Sequence, residues 1–148
     1  MNKKNIGNVL ELYISIIGKD NRVKKEKIYF QDGGIQEDKF FNKDAKREIL
    51  LSSLYSYELA LNNNINLEYG VLGENILMDY NPYQLKIGTK LQIGEVIFQI
   101  SMNCPMCKYL SKVKSTLPQL LKNDRGIFAK VIQEGFVSKE DNIYLLEQ

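Results

Sequence analysis

The run from Gly7 to Ile17 partly alternates apolar and polar positions and is rich in β-branched and aromatic residues, which predicts an opening strand. A polar, turn-rich connection follows from Gly18 to Lys27, then a second short strand around Lys27–Gln31. Asp32-Gly33-Gly34 marks a turn. Ile35–Arg47 has neither period and reads as a long, ordered loop, a kind of segment that is often functional in small domains. Glu48–Ser52 predicts a strand and Ser53–Leu61 a helix, with Leu54, Tyr57 and Leu61 at helical spacing and Ser52 or Ser53 as its cap. Further strands are expected at Asn75–Met78, in a hairpin of Thr89–Ile93 against Val96–Ile100 turning at Gly94-Glu95, at Ile127–Ile132 and at Asn142–Leu146. Met106, Leu110, Val113 and Leu117 recur at helical intervals, predicting an amphipathic helix that ends near Pro118. Seven or eight short strands with one or two short helices favour a mainly β fold, a barrel with helical additions. Parallel α/β alternation is not read from the pattern.

Composition narrows the function classes. The 148 residues fit one domain, 1–148, with ordinary globular proportions of 44% hydrophobic and 26% charged residues. Twenty basic against eighteen acidic residues leave a net charge of +2, with no basic excess of the kind nucleic-acid binders carry. Apolar runs such as Leu10–Ile17 fall well short of the roughly 20 residues needed for a membrane span, and no signal peptide is read at the start. A cytoplasmic setting, where thiols stay reduced, is the expectation. The chain contains no histidine, which removes Ser/His and Cys/His dyads and imidazole metal sites together.

What chemistry remains converges on Cys104 and Cys107. They form a C-x-x-C pair around Pro105, where a predicted strand runs into a predicted helix. A helix start and the adjacent Lys108 both favour a thiolate. Either cysteine is alternatively a small buried side chain. A thioredoxin-like dithiol site would need a βαβ framework, whereas this pair follows an antiparallel hairpin.

Gly34-Ile-Gln-Glu-Asp-Lys-Phe40, Arg47-Glu-Ile-Leu-Leu51, Gly73-Glu-Asn-Ile76, Leu85 to Gly94, Cys104-Pro-Met-Cys107 and Gly126-Ile-Phe-Ala-Lys-Val131 occur in an order and spacing that resemble the MOSC domain. That domain forms the C-terminus of molybdenum cofactor sulfurases and occurs in amidoxime-reducing enzymes and as small stand-alone bacterial proteins. The start of the chain, Gly7-Asn-Val with Ser15 and Lys24-Lys25, is similar to its opening strand and turn.

The resemblance implies a β-barrel that binds molybdenum cofactor (a molybdenum pterin) or carries sulfur for it. It implies Cys107 as molybdenum ligand or persulfide carrier, with Cys104 as a resolving thiol or simply packing. A soft thiolate suits either task. Arg47 and Asn75 match motif positions and are candidates for holding the cofactor's phosphate and pterin, although Arg47 also reads as a surface arginine, and Glu74 and Asn75 as turn-stabilising residues. Lys108, Arg125 and Lys130 are candidates on charge alone. Implied partners are the cofactor or a sulfur donor, and an acceptor molybdoenzyme. A reductase of N-hydroxylated substrates would also need an electron-donor partner, since no flavin, haem or iron–sulfur motif is read. A cofactor-free dithiol redox or binding module is the remaining alternative.

Two departures from the family pattern matter. Where the family commonly reads Gly-Asp-x-His, this chain has Glu37-Asp38-Lys39-Phe40, so no role can rest on that histidine. The second barrel domain of the reductase relatives is also not read here, which favours binding or carriage over independent catalysis.

Overall fold

A computed structural model describes residues 2–18, 22–105 and 108–147. The opening strand, β1 (Lys3–Ile14), begins and ends earlier than its alternation predicts. Polar Lys3 to Asn5 are drawn into it by pairing with the strand β10 (Asn142–Leu146), whereas the Ser15 amide turns away to donate to Asp38 Oδ2 at 2.9 Å. The expected strands and hairpin follow as β3 (Lys27–Phe30), β4 (Ile49–Ser53), β5 (Ile76–Met78), β6 (Lys90–Ile93), β7 (Val96–Asn103) and β8 (Ile127–Gln133). Two short strands escape the pattern, β2 (Val23–Lys25) and β9 (Gly135–Ser138). Each is too short to show a period and is defined by its partner, β2 by β1 and β9 by β3. The described residues therefore form ten strands rather than seven or eight.

Strands β10, β6, β7, β8, β4, β5 and β1 pair in that order, and β1 pairs back with β10, which closes a seven-stranded barrel. The expectation of no parallel alternation needs one correction. β4 and β5 pair in parallel, and the helix α1 (Leu54–Asn62) is part of the crossover between them. That helix covers the barrel's outer face, so strands beside it are buried on both sides. On β1, Leu12 and Ile14 enter the barrel interior while Tyr13 joins Tyr57, Leu72, Leu110 and Leu117 outside it. β5 divides the same way, with Ile76 and Met78 inside and Leu77 outside. Inside, Phe30 meets Phe98 edge to face at 5.2 Å.

Ser53 caps α1 in extended geometry, and its Oγ accepts the Tyr55 N–H at 3.0 Å. Replacing it with alanine should lower unfolding stability by about 1 kcal/mol, measurable by urea titration.

The amphipathic helix expected from Met106 to Pro118 is not continuous. A 3-10 turn, Lys108–Lys112, is followed by a separate short helix, α2 (Leu117–Leu120). Pro118 lies in the first turn of α2, where its missing N–H costs nothing, so it starts a helix rather than ending one. Leu110 and Leu117 are buried as their spacing implies, but Val113 is 40% exposed. No helix among the described residues is long and apolar enough to cross a membrane.

Candidate functional site

A cleft of about 670 Å³ opens beside the barrel, lined by Ser15 and Arg22, by Lys39, Phe40 and Arg47 from the long loop and Glu48 just before β4, by the turn from Glu68 to Gly73, and by Arg125 and Phe128. Its volume is in the range of small-molecule sites. Four cations from three separate stretches of chain converge on it: Arg22, Lys39, Arg47 and Arg125. Phe40 and Tyr69, each about half exposed, and the edge of Phe128 give its mouth an aromatic lip.

Arg22 is the least expected member. Its side chain is only 14% exposed. NH1 donates to Ser15 Oγ at 2.5 Å, NH2 lies 3.8 Å from Asp38 Oδ2, and buried Nε has no hydrogen-bond partner among the described residues. Asp38, also buried, is heavily committed elsewhere, accepting the Ser15 and Phe40 amides at 2.9 Å and Asn75 Nδ2 at 3.2 Å. Burial pulls the Arg22 guanidinium below its usual range, while Asp38 and Glu74 work against that pull. In sequence Arg22 is one cation of a positive cluster in a polar turn that could steer an anion but reads better as a solvated loop. Its burial is a product of the distant loop that carries Asp38, which no local pattern reveals.

Arg125 is held from two directions. Its carbonyl accepts Ser52 Oγ at 2.7 Å and the Tyr83 hydroxyl at 3.3 Å, fixing the backbone. Its guanidinium donates through Nε to the Leu72 carbonyl at 2.9 Å and through NH1 to Cys104 Sγ at 3.1 Å. Cys104 is buried, and this contact sets a guanidinium N–H directly against its sulfur. The segment after the C-x-x-C pair does not supply the expected helix start, because the five-residue 3-10 turn Lys108–Lys112 lacks the aligned peptides of an α-helix.

The other candidates fall as follows. Asn75 borders the cleft, but its amide is engaged: Nδ2 donates to the Tyr13 carbonyl and to Asp38, both at 3.2 Å, and Oδ1 accepts the Leu50 N–H at 3.0 Å. It ties β1, β4 and the long loop together. Arg47 stands at the mouth, about half exposed, 3.7 Å from Asp44 and stacked over the Phe128 ring at 5.6 Å. Lys130 is on β8 and does not line the cleft. Cys107 lies outside the described residues, and for Lys108 only its backbone place in the 3-10 turn is described.

The model of the MOSC domain matches residues 27–144. Among solved structures, the chain is similar to the YuaD protein from Bacillus subtilis, with a TM-score of 0.81 at 18% identity, covering 99% of each chain. It is also similar to YiiM from Geobacillus stearothermophilus, with a TM-score of 0.69 at 14% identity over 99% of this chain and 76% of that one. YiiM from Escherichia coli gives 0.68 at 18% identity over 95% and 70%. At these identities the structures speak for the fold. No curated protein matches the chain.

Proposed function

Because the chain belongs to the MOSC domain family, the family of molybdenum cofactor sulfurase C-terminal domains, we propose that its cleft binds molybdenum cofactor. The observation that carries this reading is Arg22: a buried guanidinium whose Nε has no hydrogen-bond partner among the described residues and whose nearby carboxylate is already occupied, beside a cleft with three further cations. A buried charge so incompletely compensated calls for an anion. The residues described fit the group's anionic and ring parts, with guanidinium and ammonium donors for a phosphate and an aromatic lip for a flat ring system, and the Cys104 sulfur lies against Arg125 of the same cleft.

When bound, the cofactor supplies a metal centre competent for oxygen- or sulfur-atom transfer. In this reading Arg22, Lys39, Arg47 and Arg125 bind its anionic groups, while Phe40, Tyr69 and Phe128 keep water from the ring. Asn75 and Asp38 hold the frame to which Ser15 and Arg22 are attached. Cys107 is the metal-ligating thiolate, and Arg125 keeps the neighbouring Cys104 in place. A reductase built on this site takes electrons from a partner protein.

Purification from a cofactor-competent host, with molybdenum and pterin measured per chain, tests this. Near-stoichiometric molybdenum in wild type and Cys104→Ser, lost in Cys107→Ser, is the expected result. A metal-free protein that acquires a persulfide on Cys107 would instead make it a sulfur carrier: the thiolate attacks the outer sulfur of a donor persulfide, and the donor leaves as a thiolate. Absence of both, with both cysteines needed for disulfide exchange, would leave the dithiol reading.

A further inference from the structure

The cleft wall is shaped by a carboxyl group that does not line the cleft. Glu74 is completely buried. Its Oε2 accepts the Tyr57 hydroxyl at 2.5 Å and the Gly70 N–H at 3.2 Å, and Oε1 has no hydrogen-bond partner among the described residues. The same Gly70 N–H also reaches the Tyr57 oxygen at 2.9 Å. Burial raises the Glu74 carboxyl above its ordinary range, opposed by the bond from Tyr57.

From this pair a line of contacts leads to the cleft. Gly70 and Gly73 both have φ of +94°, a conformation open to glycine, and the Gly73 N–H closes the turn onto the Gly70 carbonyl at 3.0 Å. Between them, the Leu72 carbonyl receives Arg125 Nε. The NH2 of Arg125 lies 3.1 Å from where a Cβ on Gly73 would stand, so the guanidinium occupies space that any other residue would fill. Tyr69, on the cleft's lip, packs edge-on against Tyr57 at 4.9 Å.

We propose that Glu74 is a positioning residue of the cleft, acting through Tyr57 and the Gly70–Gly73 turn to fix the Arg125 guanidinium against a bound anion. The inference rests on the anion-binding reading given above. Glu74 touches no ligand itself. Its part is to receive two donors at one oxygen and so set the height of the turn, which neutral oxygen acceptors do as well as charged ones.

Titration calorimetry with inorganic pyrophosphate at constant ionic strength tests this. Glu74→Gln keeps the acceptor oxygen and should bind within about twofold of wild type, whereas Glu74→Leu should bind at least about tenfold more weakly, as loss of a supporting group does at metal sites. Rescue by glutamine separates positioning from general destabilisation. Should Glu74→Leu fail to fold, Tyr57→Phe keeps the ring and removes the linking hydroxyl. Several-fold weaker binding by that variant supports the inference, and unchanged binding overturns it. Wild-type affinity in Glu74→Leu, or glutamine as weak as leucine, overturns it also. If wild type takes up no pyrophosphate, the anion reading fails with it; pyrophosphate bound equally by all variants sinks the positioning role alone.

Discussion

An Arg22→Gln protein should bind inorganic pyrophosphate on the order of 10- to 100-fold more weakly than wild type, the loss of one or two charge-assisted hydrogen bonds made out of water. It should do so with its fold intact. The substitution leaves Asp38 with three donors, the Ser15 and Phe40 amides and Asn75, so no buried carboxylate is stranded. It also removes a buried Nε that has no partner among the described residues. Arg47→Gln is the internal contrast. Its side chain is about half exposed and already close to Asp44, so screening limits its share to about twofold. Calorimetric titration beside thermal melts of both variants checks the pair. Equal losses from Arg22 and Arg47 would mean that anions are held at the cleft's mouth rather than its floor.

Gly126→Ala should cost the most stability of the single-methyl changes considered, about 3 kcal/mol, or a fall in melting temperature of about 10 °C. A Cβ there would stand 2.8 Å from Leu50 Cδ1, 2.9 Å from the Leu51 carbonyl and 3.1 Å from Ser52 Oγ. The methyl therefore meets the backbone of β4, which cannot move aside without straining its pairings with β8 and β5 at once. Ser52 Oγ also holds the Arg125 carbonyl, so the shift reaches the cleft as well as the barrel. Gly18→Ala gives the comparison: nothing among the described residues lies within 4 Å, and its φ of +85° resists, costing about 1 kcal/mol. Differential scanning calorimetry of the two variants separates crowding from backbone strain, and equal melting temperatures would refute the packing argument.

The barrel was legible in the sequence because its strands carry their own signals. β6 and β7 alternate around a Gly94-Glu95 turn, with Gly94 at φ +56°, and β8 alternates against β7. Ser53 announced α1 by its chemistry. What stayed hidden depends on distant partners. β9 exists because β3 lies beside it, and the parallel β4–β5 pair follows from where α1 returns the chain. The spacing of Leu110 and Leu117 truly reports burial, yet a hydrophobic period does not distinguish one helix from two short ones joined by a bend. In the site, Arg125 was found by charge and Asn75 by motif. Arg22 belongs to a turn whose cluster of positive charge could steer an anion but reads better as a solvated loop, because an arginine among lysines looks solvated until its neighbours are known. Glu74 was visible as a motif residue, but its work behind the wall depends on Tyr57, seventeen positions away in sequence.

The pairing of β1 with β10 has a consequence for biosynthesis. The strands that seal the ring come from opposite ends of the sequence, and β10 alone bridges β1 to β6. Until Asn142–Leu146 leaves the ribosome, both neighbours present open rows of peptide N–H and C=O groups, the surface on which nascent chains pair with one another. Closure is therefore a late, long-range event, slow by the measure of sequence separation. During translation the half-made ring is the aggregation-prone species, and expression yield should depend on how well a cell shields that edge until its last partner arrives.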